Sequence, residues 1–249
     1  MRVALILDKS GTILKPCRIA FDIKNERLLY HVNTLKLVRE VDGYLLNIEG
    51  DLRRIEKQKP LLKISCAFSK APPKIDENII LKEEILKALK EVEGLADKHC
   101  GSEIGTCIAL ILDNHGEPIY CVGLGGRIYE DLKKILNEIK KMSDLFIATG
   151  NCKRATLKCA EILKINKQFV LYNASPQDKM EFVKKLKAFY ACVVMVGNDI
   201  NDLMAMRVAD VSVFVNREGE YSPHDVDYII ESLEDLPKII CDVSNFKTS

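Results

Sequence analysis

The sequence predicts an α/β protein with a doubly wound parallel sheet and a small α+β module after the first strand. Short apolar runs recur at 3–7, 146–148, 193–196 and 211–215, and polar or glycine residues follow each of them. Stretches with helical spacing of apolar residues separate several of these runs. Alternating strands and helices are typical of parallel sheets whose strands are joined by crossover helices.

The first predicted strand, residues 3–7, ends at Asp8, and Lys9-Ser10-Gly11-Thr12 follow as a tight loop. In open α/β sheets, ligands bind just beyond the carboxyl ends of the strands. Asp8 is therefore a candidate nucleophile or metal ligand. The alternative is an aspartate that only caps a turn.

Residues 14–103 are expected to form the α+β module. Two strand-like runs between 34 and 50 flank Asp42-Gly43, which predicts a β-hairpin. A further strand is predicted at 61–68, Ala71-Pro72-Pro73 interrupts regular structure, and apolar spacing predicts a helix over 82–98. The module contains no glycine-rich nucleotide loop.

The remaining elements alternate along the chain. Strands are predicted at 104–112, 119–122, 146–148, 169–172, 193–196, 211–215 and 228–230, with helices at about 128–142, 153–163, 176–189 and 202–207 and a last helix after 232–235. We interpret His115 as part of a turn between the strands at 104–112 and 119–122. Gly123-Leu124-Gly125-Gly126 lacks the acidic partner of a dinucleotide site and is not interpreted as one.

Three further polar groups stand at strand ends or helix starts. Thr149 and Gly150 offer a hydroxyl and backbone N–H groups to a phosphate. The oxygen-rich run Asn198-Asp199-Ile200-Asn201-Asp202 suits Mg²⁺. Lys179 begins a predicted helix, where it either neutralises phosphate charge or is simply solvated.

In order and context these motifs resemble the four motifs of the haloacid dehalogenase (HAD) superfamily of hydrolases. They look most like the phosphorylation domain of P-type ATPases, whose signature begins Asp-Lys-Thr-Gly-Thr; here Asp8 opens Asp-Lys-Ser-Gly-Thr. The resemblance covers residues 1–13 and roughly 104–240. It implies a Rossmann-like HAD core of 1–13 plus 104–249, with 14–103 inserted as a cap-like domain.

The resemblance also implies a magnesium-dependent phosphatase that works through a phospho-aspartate on a small phosphorylated substrate. Its implied catalytic residues are Asp8, Ser10 and Lys179, its phosphate-binding residues are Thr149, Gly150 and Asn201, and its metal ligands come from Asp8, Ser10, Asn198, Asp199 and Asp202. The insert leaves room for a protein partner.

Three positions depart from the family's pattern. Ser10 stands where HAD phosphatases usually carry an aspartate that protonates the leaving group and activates water, so we predict slow hydrolysis of phospho-Asp8. Asn198 replaces a metal-binding aspartate, with Asp199 as the alternative ligand. Asn151 replaces an aspartate of the ATPases. Two alternatives to the phosphatase therefore stay open: a slowly turning-over phospho-aspartate switch, and a non-catalytic binding protein.

Composition limits the other function classes. The formal net charge of +1 indicates no charge-driven binding of nucleic acid. No apolar stretch approaches the roughly 20 residues that cross a membrane, so we expect neither membrane insertion nor ion transport by this chain. The nine cysteines contain no Cys-x-x-Cys pair, which predicts thiols in a reducing cytoplasm. Cys152 is either buried filler or a thiol with a lowered pKa at a helix start.

Overall fold

The strands of this protein form two separate sheets. The structure, a computed structural model, describes residues 2–55, 57–58, 60–67, 75–76, 78–100, 103–217, 219 and 223–246, with side chains described up to 244. The strands are β1 (Val3–Leu7), β2 (Leu14–Asp22), β3 (Arg27–Tyr30), β4 (Tyr44–Glu49), β5 (Leu61–Ala67), β6 (Cys107–Leu112), β7 (Pro118–Ile128), β8 (Asp144–Ala148), β9 (Val170–Leu171), β10 (Cys192–Gly197), β11 (Val211–Val215) and β12 (Tyr228–Ile230).

The α-helices follow the predicted spacing in most of the chain. They are α1 (Thr34–Glu40), α2 (Glu83–Cys100), α3 (Glu130–Met142), α4 (Lys153–Ile162), α5 (Pro176–Lys187), α6 (Leu203–Met206) and α7 (Leu236–Phe246). The described residues divide into two compact units, one from Met1–Lys15, Ile128–Thr149 and Cys159–Ser249, the other from Pro16–Arg127 and Gly150–Lys158.

The first unit contains a parallel sheet in the order β12-β11-β10-β1-β8-β9. The chain proceeds from β1 to β8 and β9 on one side and then returns to β10 on the other. The predicted doubly wound sheet is confirmed. Because the order reverses beside β1, the carboxyl ends of β1, β8 and β10 lie next to one another, at the place where such sheets bind ligands.

Both faces of this sheet are covered, since all five residues of β1 are buried. On one face Ala4 and Ile6 join a core with Phe146, Val183 and Met195. The apolar runs that predicted the strands are therefore the centre of the core, and they fix where each strand ends.

The second unit contains a sheet in the order β3-β2-β7-β6-β4-β5, antiparallel at the β2–β3, β4–β5, β4–β6 and β6–β7 pairs. Helix α2 packs on it through Ile85, Leu89 and Val92. A Cβ on Gly123 would lie 2.4 Å from the carbonyl oxygen of Val92, so the glycine of β7 permits the close approach of α2. The run 123–126 is thus strand, in agreement with its rejection as a dinucleotide loop.

The structure differs from the predicted boundary at residue 104. Strands β6 and β7 pair with each other, and β6 also pairs with β4 while β7 lies beside β2. Neither strand belongs to the parallel sheet, and the second unit continues to Arg127. The sequence pattern marked both strands but carried no information on their partners, because sheet membership is decided by long-range pairing.

The predicted hairpin around Asp42-Gly43 is wrong, because the first of its runs is α1. The side chain of Asn33 caps this helix by accepting from the Lys36 N–H. At the other end the Gly43 N–H donates to Val38 O (3.0 Å), and Asp42 has a left-handed φ of 47°. These features are a Schellman C-cap, so Asp-Gly here ends a helix.

The prediction that all cysteines are thiols is also wrong. Disulfides join Cys17 to Cys100 and Cys107 to Cys152, both within the second unit. Five cysteines keep their thiols, of which only Cys241 is exposed. The cysteine count and the absence of Cys-x-x-Cys did not reveal these pairs, since each joins residues far apart in sequence.

Two further findings concern predicted features. Phe68 and Ala71-Pro72-Pro73 lie outside the described residues, and the strand that precedes them is confirmed as β5. Among the described helices, none is both long enough and apolar enough to span a bilayer.

Candidate active site

Asp8 lies at the carboxyl end of β1, where its backbone continues the pairing with β10. The Asp8 N–H donates to Val196 O (2.9 Å), and the residue is 4% exposed. The following loop folds back tightly, because Leu14 N–H donates to Lys9 O (2.7 Å) and Gly11 N–H donates to Leu14 O (2.8 Å). Gly11 has a φ of 95°, which favours glycine.

Lys179 joins two carboxylates in the interior of the first unit. Its Nζ lies 2.6 Å from Asp8 Oδ1 and 2.6 Å from Asp202 Oδ1. Lys179 and Asp202 are 1% and 0% exposed, so a solvated lysine is excluded. The start of α5 positions Lys179 through a capping box between Ser175 and Asp178, with Pro176 in the first turn.

The protonation equilibria of these groups are shifted by their burial and by one another. Burial, and after it the charge of Asp202, raise the pKa of Asp8 to about 6, although Lys179 opposes the rise. Burial lowers the pKa of Lys179, but the carboxylates of Asp202 and Asp8 more than offset this and leave it raised. With both carboxylates ionised, the three groups carry one net negative charge, which a bound cation would balance.

The loop after β10 is ordered by the other oxygen of Asp202. Asp202 Oδ2 accepts from the N–H groups of Asn198 (3.1 Å) and Asp199 (3.3 Å). Asp199 Oδ1 in turn accepts from the Ile200 N–H (2.7 Å). A Cβ on Gly197 would lie 2.5 Å from Asp202 Oδ2, so glycine is needed there. Two of the three predicted metal ligands in this loop, Asp199 and Asp202, thus already serve as hydrogen-bond acceptors.

Asn198 is held against the loop that follows Asp8. The Thr12 hydroxyl donates to Asn198 Oδ1 (3.3 Å), and a Cβ on Gly11 would lie 2.2 Å from Asn198 Nδ2. We predicted no role for Thr12 or Gly11 from the sequence. The signal for both was their place in the five-residue motif that Asp8 opens.

Three further predicted site residues, Thr149, Ser10 and Gly150, have different neighbours from the residues described above. Thr149 is 1% exposed, and its backbone bonds to Leu171 O and to the Ala174 N–H, each at 2.9 Å. Ser10 pairs with Leu14 in an isolated β-bridge of the backbone. Gly150 is grouped with the second unit, where its carbonyl accepts from Asn47 Nδ2 (2.5 Å).

The residues of the first unit fit a magnesium ion. Among the described residues, Asn201 Oδ1 is a buried acceptor without a hydrogen-bond partner, so it can bind a donor or a cation. Among the described residues no cluster of three or more His, Cys, Asp or Glu side chains forms a complete metal cage. Mg²⁺ does not need such a cage, because it usually takes one or two carboxylates and completes its shell with water and substrate phosphate.

A sequence model of haloacid dehalogenase-like hydrolases matches residues 3–210. The chain is 27% identical over 234 residues to a protein of Methanocaldococcus jannaschii named soluble P-type ATPase-like phosphatase, which covers 89% of this chain and 86% of that protein.

Longer proteins share only part of their length with this chain. A copper-transporting ATPase of Helicobacter pylori is 31% identical over 112 residues, 43% of this chain, and the chain spans 15% of that protein. A probable copper-importing P-type ATPase of Enterococcus hirae is 28% identical over 105 residues, and the chain spans 14% of it.

A solved structure shares the fold across both units. The catalytic CPx-ATPase domain CopB-B matches with a TM-score of 0.50 and 19% identity, covering 98% of this chain and 90% of that domain. The likeness thus includes residues 14–103, which the sequence motifs did not match. The chain belongs to the haloacid dehalogenase-like hydrolases and resembles the catalytic domains of P-type ATPases.

Proposed function

We propose that this protein is a magnesium-dependent phosphatase that forms a phospho-aspartate at Asp8 and acts on a small phosphate ester. The observation that carries the proposal is the buried contact of Lys179 with both Asp8 and Asp202 at 2.6 Å. An ion pair that only stabilises the fold requires a single carboxylate for its lysine. Here one lysine contacts two carboxylates at the ligand-binding edge of a parallel sheet. The name of the M. jannaschii relative supports the same activity.

In the first step, a carboxylate oxygen of Asp8 attacks the phosphorus of the ester. The new P–O bond to Asp8 forms as the bond to the alcohol oxygen breaks, and the alkoxide takes a proton from water. Lys179 places positive charge beside the nucleophile, which reduces repulsion between Asp8 and the phosphate. Thr149 and the Gly150 N–H are proposed to bind the phosphate oxygens.

Asp8 and Asn198 are the residues that would hold Mg²⁺ as protein ligands, and Asn201 would be available as a hydrogen-bond acceptor beside them. When bound, the ion supplies positive charge that offsets the repulsion between nucleophile and substrate. Asp202 instead contacts Lys179 and accepts hydrogen bonds from two backbone N–H groups of the loop after β10. We therefore propose that Asp202 positions Lys179 and this loop.

In the second step, water attacks phospho-Asp8 and releases inorganic phosphate. Ser10 occupies the position from which HAD phosphatases usually supply an aspartate as general base. A hydroxyl has a poorly matched pKa for this role, so we propose that the phospho-aspartate is long-lived.

Ser10 also favours a second candidate, a regulatory switch that accumulates phospho-Asp8 and turns over slowly. It uses the same first step and differs in the fate of the acyl phosphate. The proposal includes a cytoplasmic location and a protein partner for the second unit. It does not include ion transport.

The test compares phosphate release from p-nitrophenyl phosphate and acetyl phosphate, with and without Mg²⁺, for the native protein and the Asp8→Asn variant. The phosphatase predicts release that requires Mg²⁺ and is lost in Asp8→Asn. Phosphorylation of the native protein with little release indicates the switch. Equal release by both proteins would overturn both candidates.

A further inference from the structure

We propose that Cys107 and Cys152 form a reversible thiol–disulfide site whose state controls the chain segment 150–154. The proposal rests in part on the proposed function, because this segment directly follows Thr149. It assigns the site a small thiol or dithiol as its reaction partner.

The disulfide belongs to a set of contacts that hold segment 150–154 on the second sheet. Gly150 O accepts from Asn47 (2.5 Å), and the Lys153 N–H donates to Glu49. Arg154 donates to Thr106 O (2.8 Å). The Cys107–Cys152 bond is the covalent member of this set, and it anchors the segment to β6.

The disulfide also borders a cavity of about 360 Å³ within the second unit. The cavity is lined by Cys107 and Cys152 together with Glu49, Asp51, Thr106 and Arg154. Although the two cysteines are only 2% and 3% exposed, the cavity gives a small thiol a route to their sulfur atoms. Cys17 and Cys100 are not among its lining residues.

The expected compartment makes a merely structural bond a poor explanation. In a reducing cytoplasm most disulfides are transient and act in catalysis or redox sensing, with proteins of hyperthermophiles as the exception. Exchange needs only a thiolate that reaches one sulfur of the bond.

The chemistry of the site is a two-electron exchange. A thiolate of a dithiol attacks Cys152 Sγ, the bond to Cys107 Sγ breaks, and Cys107 leaves as a thiolate that takes a proton. The second thiol of the reagent then displaces Cys152 from the mixed disulfide. The products are two cysteine thiols and the oxidised dithiol, so the protein is reduced and the reagent is oxidised.

Reduction removes an anchor that lies three residues from Thr149 in the sequence. Thr149 itself is held in the first unit by its bonds to Leu171 and Ala174. Only Gly150 and Asn151 separate Thr149 from Cys152. A looser segment 150–154 is therefore expected to disturb the proposed phosphate site, with a loss of roughly tenfold in kcat/KM.

The first experiment tests the redox site without using enzyme activity. The native protein is treated with dithiothreitol, its thiols are alkylated, and the modified cysteines are mapped by mass spectrometry. We expect alkylation of Cys107 and Cys152 in folded protein, reversal by oxidised glutathione, and faster hydrogen exchange at amides 150–154 in the reduced form. Alkylation of this pair only in urea, or unchanged exchange at 150–154, would overturn the proposal.

Two variants separate this proposal from the proposed phosphatase. Cys152→Ser should show the fast exchange at 150–154 without reductant, whereas Cys17→Ser, which removes the other disulfide of the same unit, should not. If the native protein releases no phosphate, the exchange result still decides the redox proposal. If it does, Cys152→Ser should lose kcat/KM and Cys17→Ser should retain it; equal losses would contradict control through segment 150–154.

Discussion

Lys179 Nζ is 2.6 Å from Asp8 Oδ1 and 2.6 Å from Asp202 Oδ1, so one buried ammonium joins the end of β1 to the loop after β10. These two strands are neighbours on opposite sides of the point where the strand order reverses. The same contact stabilises the buried charges and places them at the ligand-binding edge of the sheet.

Replacement of Lys179 by methionine should abolish activity and destabilise the fold. The change leaves Asp8 and Asp202 buried without their cation, a loss that typically costs about 3–5 kcal/mol. Urea unfolding measures the free energy. The matched control is Lys184→Met on the same helix, since Lys184 is exposed and pairs with Glu181 at the surface, and its effect should stay within about 0.5 kcal/mol. Equal effects of the two variants would contradict a structural role for the Lys179 contacts.

The raised pKa of Asp8 predicts a pH dependence of stability. Its ordinary value is 3.8 and its folded value about 6, so between them the folded protein binds more protons than the unfolded one. This carboxyl therefore makes the native protein less stable as pH rises through that window. Asp8→Asn lacks the effect, and its free energy of unfolding should exceed that of the native protein by a margin that grows up to about pH 6.

The control for this prediction has the opposite sign. The pKa of Asp51 is lowered, first by its hydrogen bond from Arg53, so Asp51 contributes stability above its ordinary pKa and loses it as pH falls. Because the Asp51 side chain is 33% exposed and its ion pairs are screened by solvent, Asp51→Asn should reduce stability only slightly near neutral pH. A margin for Asp8→Asn that shrinks as pH rises would contradict the assigned shift. Activity should likewise fall below about pH 6, where Asp8 becomes protonated.

Substitution of Ser10 by aspartate should raise the turnover of phospho-Asp8. An aspartate at this position supplies the general base that a hydroxyl does not, and general catalysis contributes typically 10²–10⁴-fold, so we expect acceleration of at least about tenfold. The measurement is the decay of phosphorylated protein in single turnover. Ser10→Ala is the control and should not accelerate decay. Unchanged turnover in Ser10→Asp, with normal phosphorylation of Asp8, would remove the support for Ser10 as the limiting residue.

Alanine at Gly197 should disrupt the loop that carries Asn198 and Asp202. Its Cβ would lie 2.5 Å from the Asp202 carboxylate, which is bonded on its other side to Lys179. We expect a loss of about 1–3 kcal/mol in stability together with most of the activity. Gly94→Ala in α2 is the control, because among the described residues nothing outside the adjacent backbone of α2 would lie within 4 Å of the added Cβ, and it should stabilise the helix by up to about 1 kcal/mol. Comparable losses in both variants would show that close packing at Gly197 is not the cause.

Local patterns predicted the parallel sheet and the approach of Asp8 to the loop at 198–202. Apolar runs located the strand ends, and the order of the elements placed them at one edge. The role of Lys179 remained ambiguous, since the sequence does not show whether a lysine at a helix start points inward. The same helix start, with Ser175 and Asp178 as its capping box, directs it to Asp8 and Asp202 in the structure.

Features that depend on distant partners were not predictable from local patterns. Asp42-Gly43 is compatible with a hairpin turn and with a helix end. The structure has the helix end, and the helix is capped at its N-terminus by Asn33. The sequence of strand β6 is compatible with either sheet, and only its pairing with β4 shows which sheet it belongs to. The bond between Cys107 and Cys152 spans 45 residues, and the contact of Thr12 with Asn198 spans 186.

The most direct test of the central claim is chemical trapping of phosphorylated Asp8. The native protein is incubated with acetyl phosphate and Mg²⁺ and quenched in acid, and borohydride then converts an acyl phosphate at aspartate to homoserine, which mass spectrometry locates. We predict homoserine at position 8 in the native protein and none in Asp8→Asn. Phosphate release by the native protein with no modification at Asp8 would contradict the account.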